Sequence, residues 1–300
     1  MKPKSRTART LATILLGGSL VSTLAGCKLI EPIPDGVSLD TEVAYAERND
    51  GPLTGRLFVP EGEGPHPAVL LVHGGGWRGG KPWHMDHIGR MLAAEGMVAY
   101  SASYRFAPEH AHPAQLEDIR AAWNWLADRP EVERDNMAIW GYSAGAHLAL
   151  LLGLAPELEG GDASGPRPVT IVGGGSPTRL DLFDPEGRLL VNLLGGSLDA
   201  QPELWEEASP ISWVSADDPP VYLYHGTIDS VVSIEHSEQL AEALMEIGIP
   251  VVLDTVTGGH ISVAVLNRDV ERRAADFIRQ HLRDTTGMFN VEMDAASSEP

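Results

Sequence analysis

The 300-residue chain has a single cysteine, Cys27, so no disulfide can form within it. It has no internal repeat at a fixed period and no low-complexity block, which excludes a solenoid or an array of small units. Basic residues are scarce, with 22 Lys and Arg against 42 Asp and Glu, for a formal net charge of −20. Residues 1–26 hold four of the bases and no acid, so the chain from Cys27 onward stands at −24 and keeps only two lysines, Lys28 and Lys81. A field of that sign repels phosphate and argues against nucleic acid or another anionic polymer as partner. What is present in quantity is apolar: 43% of residues are hydrophobic, ample at this length for one large domain with a core of its own.

The N-terminus reads as a targeting segment. Lys2, Lys4, Arg6 and Arg9 precede an apolar stretch over 11–26, which at 16 residues is short for a membrane span and ends in small residues. Residues 24–27 read LAGC, which resembles a bacterial lipoprotein signal. The resemblance implies cleavage before Cys27 and lipid on its thiol. Lys28 stands where an aspartate would signal inner-membrane retention, so the same resemblance implies outer-membrane sorting in a Gram-negative envelope. The expected division is a signal peptide over 1–26, a linker over 27–36, a folded domain over 37–284 and a loose polar tail over 285–300.

Within the domain, strand and helix patterns alternate. VSLDTEVAYAE and LTGRLFVP alternate with period two, and HPAVLLVH is a continuous apolar run of the kind buried on both faces of a sheet. Further strands are expected at MVAYSASY, NMAIW, RPVTIVGGG, PPVYLYHG and IPVVLDTV. Helices are expected over 85–95, 113–128, from the serine corner to about 155, over 234–247 and over 263–282. This order predicts an α/β fold, a mostly parallel sheet with helices on both faces. In such sheets ligands bind outside the carboxyl ends of the strands.

Four loops at those ends carry chemistry. HGGGW, 73–77, can bring backbone N–H groups close to a substrate. GYSAG, 141–145, places Ser143 between glycines where a strand turns into a helix, with the N–H of Ala144 aimed at a forming oxyanion. HGTIDSVV places Asp229 after a later strand, and TGGHIS places His260 after the last. A serine hydroxyl is a weak nucleophile until a base takes its proton, an imidazole is suited to do so near neutrality, and that imidazole needs a carboxylate to fix its tautomer. Asp254 competes with Asp229 for the acid role but sits inside a strand pattern rather than on a loop.

The likeness extends beyond these loops. SYRFAPEHAHPAQLEDIRAAWNWL, WGYSAGAHLALLLG, LLGG, ASPISWV and DDPPVYLYHGTIDSVV together resemble the esterase/lipase group of α/β-hydrolases, which includes the hormone-sensitive-lipase-like and feruloyl-esterase-like enzymes. The resemblance covers about 37–282. It implies an α/β-hydrolase fold, Ser143 as nucleophile, His260 as base, Asp229 as its partner, and an oxyanion hole from Gly75, Gly76 and Ala144, with the choice among the glycines open. No cofactor is implied.

The remaining chemistry-bearing residues have plainer readings. His84, His87, His110 and His112 lack the companion residues of a metal site. Asp118 with Arg105 reads as a structural ion pair, and His147 as packing on the helix after the serine. Trp77, Trp205 and Trp213 line either the cleft or the core. Residues 176–218, about 43 in number, suffice for a short flap but not a large lid, so a minimal cap is expected. The leading expectation is a lipid-anchored serine esterase acting on a small or carbohydrate-linked ester with a short or aryl acyl group. Its rivals are an amide or formamide hydrolase of kynurenine-formamidase type and an inactive hydrolase fold serving as a binding lipoprotein. Oligomeric state is left open.

Overall fold

A computed structural model describes residues 32–158 and 164–283, and every element below lies in the unit that begins at Ile33. The expected signal peptide, Cys27 and the tail from 285 fall outside the described residues.

The chain opens as a hairpin, β1 (Val37–Arg48) and β2 (Gly51–Pro60), in which Arg48 pairs Gly51 across a two-residue turn. β3 (His66–Val72) follows, then α1 (Asp86–Ala94), β4 (Val98–Ala102), α2 (Ala114–Ala127), β5 (Val132–Tyr142), α3 (Ala144–Leu154) and β6 (Ile171–Gly174). Two short helices, α4 (Arg188–Leu194) and α5 (Pro202–Glu207), lead to β7 (Val221–Gly226), α6 (Glu235–Glu246), β8 (Val251–Val256), α7 (His260–Leu266) and α8 (Arg268–His281). The strands form one sheet in the order β1-β2-β4-β3-β5-β6-β7-β8. The pairings β1 with β2 and β2 with β4 are antiparallel, and every pairing from β4 to β8 is parallel.

Alternation along the strands divides the core in two. Leu70, Val72, Ile139 and Leu223 point to the face covered by α2, α3 and α6, where Leu116, Leu148 and Leu240 meet them. Val69, Leu71, Trp140 and Tyr222 point to the other face, covered by α1 and α8 through Leu92 and Ile278. α3 is buried along its whole length, which explains a sequence that is apolar apart from His147. α8 is exposed on one side and carries Arg272, Arg273 and Asp269 there, while its one glutamate, Glu271, is buried.

Two expectations need correction. The single helix expected over 263–282 is two helices, and the first begins earlier, at His260. The break falls at Asn267, whose side chain accepts from the N–H of Val270 at 3.2 Å and so caps α8. The strand expected over 167–175 is short, Ile171–Gly174. The segment 176–218 contains α4, α5 and two 3-10 turns, Leu180–Leu182 and Pro210–Trp213, a small helical flap of the size expected.

Asp118 ties β1, the edge strand at the antiparallel end of the sheet, to α2. Its side chain is fully buried and accepts from Arg48 Nε at 2.9 Å, Arg105 Nε at 2.8 Å and the Arg105 N–H at 2.9 Å. This agrees with the ion pair read from the sequence.

Burial also leaves several histidines neutral. It pushes His73, His112 and His236 down to about 4 and His147 to about 3. A depressed folded-state value means the unfolded chain binds the proton more readily, so stability is full above the unfolded value of about 6.5 and is lost as pH falls through it. Relief of the net negative charge works in the opposite direction, but only as carboxylates titrate nearer pH 4. Urea unfolding at several pH values should show stability falling between about pH 7 and 5, with a slope of roughly 1.4 kcal/mol per pH unit for each histidine engaged. A flat profile over that range would contradict neutral burial of these rings.

Candidate active site

Ser143 sits between the last residue of β5 and the first of α3 with φ 55° and ψ −124°, a backbone conformation that strains a residue bearing a β-carbon by roughly 1–3 kcal/mol. The neighbouring glycines make that corner possible through close approach. A β-carbon at Gly141 would lie 2.1 Å from the Gly145 carbonyl oxygen, and one at Gly145 would lie 2.1 Å from the carbonyl oxygen of Val72 at the end of β3. The Ser143 N–H donates to Gly174 O at 2.7 Å, which fastens the corner to the end of β6.

The Ser143 hydroxyl lies 2.8 Å from His260 Nε2. The opposite ring nitrogen, Nδ1, lies 2.6 Å from Asp229 Oδ2. Asp229 Oδ1 accepts from the N–H groups of Val231 and Val232, each at 2.9 Å, so both carboxylate oxygens are held and the side chain is fully buried. With Nδ1–H donating to the carboxylate, the Nε2 lone pair faces the serine O–H. The three residues read as a set from the sequence therefore form one hydrogen-bonded chain. That arrangement can pass a proton from the hydroxyl to the imidazole while the carboxylate stabilises the cation that results. Two supporting residues escaped the sequence reading. Tyr142, beside the serine, donates its hydroxyl to the His260 carbonyl oxygen. His225 lies four residues before Asp229 at the end of β7, its Nε2–H donating to Val232 O at 2.9 Å and lying 3.4 Å from Asp229 Oδ2. Its Nδ1 accepts from Ser237 Oγ at 2.7 Å, and burial lowers its pKa, keeping the ring neutral beside the carboxylate. The four-residue spacing in HGTID was the available signal for His225.

The glycine loop lies against the serine. A β-carbon at Gly74 would be 2.9 Å from Tyr142 O and 3.1 Å from Ser143 Cβ. Gly75 and Gly76 have φ 136° and 59°, and Trp77 continues the left-handed run at φ 56°. At Gly75 an added β-carbon would strike Gly79 O at 2.1 Å, and at Gly76 it would meet Leu189 of α4 at 3.2 Å, so the flap touches the loop. Among the described residues, outside helices and strands, no backbone carbonyl accepts from the N–H groups of Gly75, Gly76 or Ala144. The Ala144 N–H opens α3, where no intrahelical acceptor is available.

The other candidates are engaged elsewhere. Asp254 Oδ2 accepts from Tyr222 Oη at 2.5 Å and Arg273 Nε at 2.6 Å, on the surface of β8. His87 pairs with Glu271 at 2.8 Å and His110 with Asp50 at 2.8 Å, while His112 is buried and His84 packs edge-on to Trp83. Trp77 and Trp205 are core residues, and Trp213 is partly exposed at a shallow depression with Glu203, Glu206 and Glu207 that does not include the serine.

The chain is similar to several known proteins. Esterase LipC of Mycobacterium tuberculosis (strain ATCC 25618 / H37Rv) is 33% identical over 198 residues, 60% of this chain and 48% of that protein. Esterase LipQ of the same organism is 28% identical over 234 residues, 71% of this chain and 55% of that protein. The chain thus spans about half the length of the curated relatives it matches. Among solved structures, a truncated form of a carbohydrate esterase from gut microbiota superposes with a TM-score of 0.75 at 22% identity, covering 83% of this chain and 98% of that one. That likeness, with the eight-stranded sheet, identifies the α/β-hydrolase fold. The BD-FAE family model matches residues 57–244, a span that takes in the glycine loop, the serine corner and Asp229, and the chain belongs to that family.

Proposed function

We propose that the protein is a serine hydrolase of carboxylic esters, with Ser143 as nucleophile, His260 as general base and then general acid, and Asp229 as the group that orients and charges against His260. The observation that carries this is the continuous pair of hydrogen bonds, 2.8 Å from serine to imidazole and 2.6 Å from imidazole to carboxylate. Ser143 Oγ attacks the ester carbonyl as its proton passes to His260 Nε2. The tetrahedral oxyanion is received by N–H groups of Ala144 and of Gly75 or Gly76, and collapse expels the alcohol with the proton from His260. Water, deprotonated by the same imidazole, then releases the acid. The family and the esterase relatives support this reading.

Substrate size follows from the flap. The segment 176–218 holds two short helices, α4 and α5, and two 3-10 turns; we infer from this small flap an open cleft, which rewards each added acyl methylene with only part of the roughly 0.8 kcal/mol that full burial gives. We infer short or aryl acyl groups, with an alcohol side free to be bulky, such as a sugar. We also infer that lipid on Cys27 holds the enzyme at a bacterial envelope membrane, from the residue pattern at 24–27 alone.

Ser143→Ala should lower ester hydrolysis by several orders of magnitude and abolish labelling by a fluorophosphonate, with the far-ultraviolet circular dichroism unchanged. Asp229→Asn should lose about as much through the wrong imidazole tautomer, whereas Asp254→Asn should stay near wild type; the reverse ranking would reject the acid assignment. On a panel of short aryl esters, acetylated sugars, feruloyl esters and formyl-kynurenine, esters should outrun the formamide, and faster formamide cleavage would transfer the protein to the rival class. Along a series of acyl lengths, kcat/KM should peak from acetyl to butyryl; a steady rise to long chains, or a jump above the micelle threshold, would indicate an enclosed lipase site instead. Cys27→Ser should move the full-length chain from the membrane pellet to a soluble or unprocessed form, and identical fractionation would remove the anchor.

A further inference from the structure

Trp77 and His147 take no part in the proton transfers proposed above, yet they join three segments around the serine. Trp77 closes the glycine loop at φ 56°, in the left-handed region that a bulky residue rarely occupies, with a side chain 1% exposed. Its carbonyl accepts from the Ala107 N–H at 2.9 Å, and its indole Nε1–H donates to His147 Nδ1 at 3.2 Å. The two rings meet edge-on, 5.1 Å between centroids at 85°. His147 is fully buried in the first turn of α3, and its N–H donates to Ser143 O at 3.1 Å. Its Nε2 lies 2.7 Å from Ala208 O at the end of α5. An acceptor at Nδ1 and a donor at Nε2 define the neutral Nε2–H tautomer, the form that burial favours.

We propose that Trp77 and His147 are positioning residues whose mutual hydrogen bond fixes the left-handed exit of the glycine loop, and with it the N–H groups of Gly75 and Gly76, relative to Ser143. The inference rests on the ester-hydrolase reading and adds to it what holds the oxyanion donors in place. Because Ser143 and His147 are joined through the first turn of one rigid helix, a bond from His147 to the loop references the loop directly to the nucleophile. A donor displaced by about 1 Å can lower the rate by up to about 100-fold. The bond from His147 to Ala208 extends the same framework to the flap, whose Leu189 already rests on Gly76.

The two ring nitrogens can be tested separately. Asn at 147 sets an oxygen near the place of Nδ1 and no donor near that of Nε2; Gln supplies a donor near Nε2 and no acceptor near Nδ1. W77F and H147Q should each lower kcat on a p-nitrophenyl ester by roughly 10- to 100-fold per fluorophosphonate-titrated site, with KM within about twofold. The W77F/H147Q double variant should be no worse than either single one, since both remove one bond, and H147N should recover most of the loss. Single variants within twofold of wild-type kcat, multiplicative losses in the double variant, or H147N as impaired as H147Q would overturn the proposal. Normalising to titrated sites separates misplacement from misfolding. If the wild type hydrolyses no ester, the functional reading fails and the indole N–H decides this one. Among the seven ¹⁵N-indole signals, that of Trp77 is assigned by its loss in W77F. It should move and exchange faster in H147Q but not in H147N, and an unmoved signal in H147Q would overturn the pairing whatever the activity.

Discussion

The site depends on one close approach. The first turn of α3 runs against the end of β3 with no room for a side chain, because a β-carbon at Gly145 would fall 2.1 Å from the Val72 carbonyl oxygen and 2.6 Å from that of His73. That contact brings the glycine loop, which continues from β3, to the side of the serine corner, which continues from β5. The two strands are neighbours in the sheet, in parallel register from Ala68 with Met137 to Val72 with Gly141, so both loops leave the same edge at the same height. The strain at Ser143 is tolerable because the corner is pinned on both sides, by Gly174 O from β6 and by β3 below. Loosening either side would let the serine relax and would part it from His260.

Electrostatics then work on a frame that is already rigid. Among the described residues no arginine or lysine pairs with the buried Asp229; its carboxylate accepts from two backbone N–H groups and the His260 N–H, with the neutral His225 at its back. An arginine in that position would weaken the attraction of the carboxylate for an imidazolium. The chain's arginines serve elsewhere, as in the Arg48–Asp118–Arg105 cluster that ties β1 to α2 and in the Arg273–Asp254 pair on β8. Acidic excess at the surface and an isolated carboxylate at the site are therefore separate features of the same sequence.

Much of this was legible in the residues because it is written in backbone geometry. Strands, helices and glycine-flanked corners follow local pattern, and the order of strand ends in a parallel sheet brings Ser143, Asp229 and His260 together once the strands are known. The break at Asn267 was less legible, since an asparagine within an amphipathic run reads as an ordinary helix surface residue until its side chain is seen capping Val270. Side-chain pairings between distant segments were not legible. Nothing near Trp77 points to His147, 70 residues on, and the four-residue spacing in HGTID hints that its histidine lies near the aspartate without showing the Val232 carbonyl and Ser237 hydroxyl that hold the ring there. Such pairings are fixed by packing, which sequence pattern records only as hydrophobicity.

The same division separates what is constant in the site from what tunes it. The groups proposed to react stand just after strand ends and at the starts of α3 and α7, where backbone hydrogen bonds set their positions. The flap, by contrast, reaches the site through side chains and single carbonyls, Leu189 on Gly76 and Ala208 O on His147. Its own structure is local: Ser209 Oγ accepts from the Leu180 N–H at 2.9 Å and donates to Trp205 O at 2.7 Å, so it folds upon itself as much as upon the sheet. Substitutions within it that keep these few contacts leave the serine corner undisturbed, so on the proposed reading the flap is free to vary with the substrate. On the proposed reading, then, variation in specificity falls to the segment whose sequence says least about its structure, and the chemistry to the loops where the backbone says most.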